Sequence, residues 1–172
     1  MFAVGVDADS GDVCHDLRVF TNREIVQKTH SLNSFASPTP VIEPGRVWVH
    51  FGVYGTACLD TASGRVLWQR RDIRCDHFRG PGSSPVLCGD LLIFPMDGID
   101  VQYVIALDKD TGRTVWKTDR SIDLEAFDPD FRKAYSTPTV IEAAARSQLL
   151  STGAQGSYAY DPATGEELWR IR

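Results

Sequence analysis

The 172 residues are 42% hydrophobic and 24% charged, the composition of a globular chain long enough to bury a core. A net charge of -5 without any Lys/Arg block excludes nucleic-acid binding through the phosphates, which needs a basic face, and attraction to an anionic membrane surface. No apolar run reaches the roughly 20 residues that span a bilayer, so direct membrane insertion is not expected, and no basic patch leads into an apolar signal core near Met1.

In chain order, the first recurring stretch is Gly5-Val6-Asp7-Ala8-Asp9-Ser10-Gly11-Asp12-Val13-Cys14-His15. Closer copies of one pattern follow at 58–68 (Cys-Leu-Asp-Thr-Ala-Ser-Gly-Arg-Val-Leu-Trp), 106–116 (Ala-Leu-Asp-Lys-Asp-Thr-Gly-Arg-Thr-Val-Trp) and 159–169 (Ala-Tyr-Asp-Pro-Ala-Thr-Gly-Glu-Glu-Leu-Trp). His15 stands where these copies hold Trp68, Trp116 and Trp169. The anchoring Asp7, Asp60, Asp108 and Asp161 are 53, 48 and 53 residues apart, so the chain is a repeat array with a period suited to propeller blades, helical repeats or solenoids.

Strand chemistry decides among these. Each later unit opens on a Ser/Thr-Pro segment running into apolar residues, at 36–42, 83–87 and 136–141, which is predicted as a first strand because proline is tolerated where no ladder donor is required. Second strands are predicted at 46–51, 91–94 and 148–151, third strands at 55–59, 103–107 and 157–160, and fourth strands carry the tryptophans. Four short antiparallel strands per repeat make a propeller blade. The expected fold class is all-β, a β-propeller of four-stranded antiparallel blades, here a partial arc of about three and a half: third and fourth strands of an incomplete blade at 1–20, then blades at 36–70, 83–118 and 136–172.

The repeated motif reads as the hairpin between third and fourth strands. Asp60, Asp108 and Asp161 accept a backbone N–H two residues on, and Gly64, Gly112 and Gly165 take the positive φ that closes the turn with a bulge. Trp68, Trp116 and Trp169 then sit at equivalent positions, where an indole fills the gap to the next blade and its N–H needs an acceptor. Leu67, Val115 and Leu168, on the opposite side of the pleat, are expected to pack on a neighbouring blade. The motif is structural.

This motif resembles the repeat signature of the pyrroloquinoline-quinone-type (PQQ-like) β-propellers, a superfamily that includes quinoprotein alcohol dehydrogenases and the propeller lipoprotein of the outer-membrane barrel assembly machinery. Trp-Asp dipeptides and Gly-Gly pairs, the marks of rival propeller families, are missing. The resemblance implies a periplasmic or otherwise extracytoplasmic setting and a protein or peptide partner, the chain acting as a non-catalytic scaffold. Its alternatives are a fragment of a PQQ- and calcium-dependent quinoprotein dehydrogenase and a carbohydrate- or polymer-binding propeller. The dehydrogenase would need a Glu, an Asn and an Asp around calcium, a catalytic Asp, an aromatic floor and often an adjacent-cysteine disulfide. No Cys-Cys pair exists here, and Asn22 and Asn33 are the asparagines, so no cofactor and no catalytic residue are expected. Closure with seven or eight blades takes roughly 350–400 residues, so the chain is expected to be part of a larger protein whose remaining blades come from further sequence or self-association.

Blade topology puts the motif turns at one end and the long connections at the other. That second end receives the connections 21–35, 71–82 and 119–135 and the hairpins 50–55 and 95–102. Long loops on a rigid scaffold are where binding resides. The candidate binding residues are His50, Tyr54, Asp76, His77, Arg79, Asp97 and Arg132, with His30, Asn33, Asp100 and Lys133 beside them, and 76–82 is the segment singled out. Asp97-Gly98-Ile99-Asp100 reads as a β-turn rather than a calcium site, since calcium takes six to eight oxygens, and 123–131 as a loop with a single helical turn. The four histidines lack zinc-motif spacing, and 80–83 lacks the Lys and helix of a phosphate loop. Cys14, Cys58, Cys75 and Cys88 are read as buried free thiols, with one disulfide as the alternative.

Overall fold

Long connections separate sheets that never exchange strands: each four-stranded blade is a self-contained antiparallel meander, as four consecutive short strands joined by tight turns dictate. The computed structural model describes residues 1–21, 27–143 and 145–172; Asn22 and part of the connection 21–35 lie outside them. A two-stranded sheet comes first, β1 (Phe2–Val6) with β2 (Val13–Arg18). Then β3 (Val41–Glu43), β4 (Arg46–His50), β5 (Thr56–Asp60) and β6 (Val66–Arg70) form the second sheet in sequence order. The third is β7 (Val86–Cys88), β8 (Leu91–Asp97), β9 (Gln102–Asp108) and β10 (Thr114–Asp119). The fourth is β11 (Thr139–Ala143), β12 (Arg146–Gly153), β13 (Gly156–Tyr160) and β14 (Glu167–Ile171). The architecture is all-β and propeller-like, and among the described residues no helix is long and apolar enough to cross a membrane.

The motif turns are built alike. Asp108 Oδ1 accepts the Asp110 and Thr111 N–H groups at 3.2 and 2.7 Å, the Gly112 N–H closes on the Asp108 carbonyl at 2.8 Å, and Gly112 has φ 71°. Asp60 and Asp161 repeat the arrangement. Hydrogen bonds to these carboxylates hold Asp60 and Asp108 below the usual carboxylate range. Each hairpin also shifts register by one residue before its aromatic position. Leu67 and Val115 are the extra residues of those bulges and are exposed instead of packed on a neighbour, because an unpaired bulge residue turns out of the pleat.

Packing between blades follows from the motif. The Trp68 ring lies over Gly112 of the next blade, where a Cβ would come within 2.6 Å of it, and Trp116 lies over Gly165 at 2.5 Å. The indole N–H groups of Trp68 and Trp116 donate to the carbonyls of Lys109 and Pro162, at 2.9 and 3.0 Å; each acceptor directly follows the motif aspartate. Leu17 takes this role on Gly64. Around these joints, Tyr103, Ile105 and Leu107 pack against Trp48 and Cys58 of the preceding blade, and Tyr158 and Tyr160 against Val104 and Ala106.

The first strands are shorter than predicted. Pro40, Pro85 and Pro138 precede β3, β7 and β11, since a residue without N–H cannot donate to the ladder. The Ser/Thr before each proline instead links blades: Thr39 N–H donates to Ser84 Oγ at 2.8 Å and Ser84 N–H to Thr137 Oγ1 at 3.0 Å. The four cysteines are free thiols, Cys58 and Cys75 buried, but Cys14 is exposed, being the extra residue in the β1–β2 hairpin.

Candidate functional site

The long connections and the second-to-third-strand hairpins meet at one end and are tied through main-chain groups. Asp76 N–H donates to Asp100 Oδ1 at 2.7 Å, and Ile99 N–H to the Asp76 carbonyl at 2.8 Å. Tyr135 Oη donates to the His77 carbonyl at 2.9 Å. Asn33 Nδ2 donates to the carbonyls of Arg79 and Pro81, at 2.9 and 3.1 Å, and His30 N–H also reaches Arg79. The singled-out segment is therefore a fixed surface, not a loose loop.

Its titratable residues are mostly spent on the fold. His50 and Thr56 are paired across β4 and β5, with Nδ1 and Oγ1 2.8 Å apart, and the ring rests 4.6 Å from Phe94. Burial, with His77 nearby, pushes the His50 pKa down to about 3. Burial likewise pushes His77 down to about 4, against the opposing pull of Asp100 and Asp76. Cys75 Sγ lies 3.4 Å from His77 Nδ1, but burial raises the thiol. A raised thiol beside a depressed imidazole stays a neutral pair, not the thiolate–imidazolium of a nucleophile.

Asp97, expected at the loop surface, is internal. It forms a two-point ion pair with Arg120, at 2.7 and 3.0 Å, with side chains 1% and 2% exposed. Arg120 also donates to Ser151 and Tyr160, and its guanidinium lies 4.7 Å from the Tyr158 ring centre. Removing one member of such a pair leaves an uncompensated buried charge. The turn at this hairpin spans Gly98 to Val101, one residue later than predicted. Arg132 closes its own loop on the carbonyls of Phe127 and Glu125, at 2.8 and 3.0 Å. That loop carries one 3₁₀ turn, Pro129–Phe131, capped by Asp128. Tyr54 and Asp76 are bridged by Gln27.

What reaches solvent is an aromatic residue the sequence did not single out. Phe78 is 47% exposed and has φ 63°, a left-handed conformation costing a non-glycine residue about 1–2 kcal/mol. The guanidinium of Arg79 and the ammonium of Lys133 each lie 5.1 Å from its ring centre. Asp130 pairs with both cations.

At the loop end, the asparagine and two of the carboxylates that a calcium ion could draw on are already bonded within the chain. Asn33 uses its amide on two carbonyls and its oxygen on Ser34 N–H and Ser37 Oγ. Asp97 is held by Arg120, and Asp76 accepts from Phe78 N–H and Gln27. Among the described residues no three His, Cys, Asp or Glu side chains are grouped to hold a metal ion.

Sheet order, tail motif and indole joints together define a run of antiparallel, propeller-like blades. Residues 100–172 match the family model described as outer membrane protein assembly factor BamB. The chain is similar to subunit 1 of methanol dehydrogenase (cytochrome c) from Methylobacterium organophilum, 29% identical over 155 residues that cover 76% of this chain and 22% of that one. It thus spans about a fifth of the length of that curated relative. Among solved structures, BamB from Moraxella catarrhalis matches at TM-score 0.55 and 19% identity, over 79% of this chain and 36% of that one. Quinohemoprotein alcohol dehydrogenase from Comamonas testosteroni matches at TM-score 0.65 and 14% identity, over 97% and 31%. At these identities the two structures bear on fold alone.

Proposed function

We propose that this chain is a binding and scaffolding part of an extracytoplasmic PQQ-like propeller protein, engaging a protein or peptide partner through its loop end and catalysing no reaction. Phe78 carries this reading. A bulky residue held at positive φ with its ring half in solvent is a local cost offset only in part by the two cations against the ring, which favours a surface kept for contact. Arg79, exposed beside the ring and held by Asp130 only at 3.5 Å, favours an apolar side chain with a carboxylate next to it. The description of the matching family as an assembly factor supports the same role, and its outer-membrane setting supports the extracytoplasmic location.

Two substitutions test this. Phe78→Gly relieves the left-handed strain and raises stability by about 1 kcal/mol, while weakening capture of a fluorescent extended peptide bearing an aromatic residue between aspartates by about tenfold or more. Arg79→Ala weakens capture with little change in stability. Binding unaltered by both substitutions makes 76–82 a structural connection only.

The similarity to a methanol dehydrogenase subunit favours a second reading, a segment of a quinoprotein oxidoreductase. Adding PQQ with calcium distinguishes the two. The binding module keeps its melting temperature, whereas a saturable rise replaces the first reading with the second.

A further inference from the structure

The joint between the second and third sheets and the joint between the third and fourth differ at four matched positions. Glu43 pairs with Arg46 across the β3–β4 hairpin as Cys88 pairs with Leu91 across β7–β8. Lys109 and Asp110 follow one motif aspartate as Pro162 and Ala163 follow the next. In the first joint these positions close the crevice at the turn end with two ion pairs. Lys109 Nζ lies 3.1 Å from both carboxylate oxygens of Glu43, its side chain 16% exposed, and Arg46 pairs with Asp110. In the second joint all four residues are uncharged, and a cavity of about 410 Å³ opens among them, which is the size of a small-molecule site.

The charge around this cavity is one-sided. Asp90, Arg146 and Asp161 also line it. Arg146 and Asp161 neutralise each other at 2.9 Å, whereas the Asp90 side chain is 92% exposed, with Lys109 Nζ 3.9 Å away and held by Glu43. The balance is negative. Burial raises the Cys88 thiol, and Glu142 and Asp161 add to the shift, so the wall at Cys88 is a neutral, weakly polar surface under a negative potential.

We propose that this crevice binds a small organic amine, its apolar body against Cys88, Leu91, Pro162 and Ala163 and its ammonium group at Asp90. The chemistry of the occupant is read from the neighbouring joint, where the matching place is taken by the aliphatic stem and ammonium of Lys109. Proline at 162 supplies neither, and its apolar surroundings with one free carboxylate suit a ligand that brings both. The site lies at the turn end of the blades and belongs to two sheets that are both in this chain. It is independent of the partner proposed for the loop end, so either reading can fail without the other.

Titration of 2-phenylethylamine into the purified chain, followed by amide NMR, tests the proposal. Saturable shifts are expected at residues 88–91 and at Ala163, with a dissociation constant of about a millimolar or tighter. 2-Phenylethanol and 3-phenylpropionate carry the same ring without the positive charge and bind more weakly by about threefold or more. Asp90→Asn removes the preference for the amine. Cys88→Glu combined with Pro162→Lys writes the filling pair of the first joint into the second, and abolishes the saturable shifts without lowering the melting temperature. The unmodified chain gives a second reading: the amine slows alkylation of Cys88 by iodoacetamide, followed by peptide mapping, and leaves the exposed Cys14 unaffected. Shifts that do not saturate, equal affinity for all the ring compounds, or Cys88 alkylation indifferent to the amine each overturn the proposal. Undiminished binding by the double variant does so as well, since it places the amine elsewhere.

Discussion

Trp116→Ala lowers stability by about 4 kcal/mol, while Trp169→Ala costs less than about 1.5 kcal/mol. The two residues share a motif position, so the difference isolates the joint. Trp116 gives up a buried ring, a hydrogen bond to the Pro162 carbonyl and the surface covering Gly165; Trp169 gives up a half-exposed ring and a bond to Gln148. Truncation of a core aromatic removes transfer free energy and leaves a cavity that a pair of sheets closes only in part. Gly165→Ala attacks the same joint from the other side, through a Cβ 2.5 Å from the ring at φ 75°, so the double substitution costs less than the sum of the singles. Urea unfolding supplies the comparison, and equal losses at 116 and 169 would show that the joint does not hold the blades together.

Acidification from pH 7 to pH 5 removes about 2 kcal/mol for each of His50 and His77, about 4 kcal/mol together. The sign follows from the depressed folded values of about 3 and about 4. Below the ordinary value near 6.5, the unfolded chain binds a proton at each imidazole that the folded chain refuses. Stability is full above that value and falls as pH drops toward the folded values. Asp76 and Asp100 face His77 and limit its shift, and Cys75 beside it stays protonated throughout. The carboxylates held low by turns and ion pairs, such as Asp60, Asp108 and Asp130, exert their effect at lower pH, whereas burial raises Asp97 against the pull of Arg120, so the histidine variants are what isolate the imidazole contribution. Urea unfolding across the pH range checks the slope, and His50→Gln and His77→Gln should each remove about half of it. A profile flat between pH 7 and pH 5 in the unmodified chain would mean that the two imidazoles take up protons as readily in the folded chain as in the unfolded one.

The blades were readable in the sequence because their instructions are local. An aspartate, a hydroxyl and a glycine within five residues close a turn by bonding to one another, and the period of about 50 residues counts the sheets. The acceptors of the tryptophans were not readable, because each lies on the next blade, 41 or 46 residues on, and is a main-chain carbonyl without a side-chain signature. Leu67 and Val115 misled for a related reason: alternation predicts burial, but one inserted residue moves an apolar side chain outward. At the loop end, His50 and Asp97 look in sequence like surface ligands. Their partners, Thr56 and Arg120, arise from strand register and from the residue that follows β10 in the same sheet. Alternating tyrosines at 158 and 160 are the one sign that a buried cation lies opposite. Phe78 gave no sign, since a positive φ at a bulky residue is imposed by the anchored segments around it.

The indole joint has a consequence for how such a chain changes over time. Its acceptor side chain is lysine at 109 and proline at 162, two residues with nothing in common, because the indole takes the carbonyl and leaves the side chain free. A blade can therefore be copied, exchanged or rewritten over most of its length, provided one aspartate turn, one glycine and one large ring survive. An architecture joined in this way keeps one fold at 14–19% identity with solved structures, because the joint asks little of the rest of the sequence.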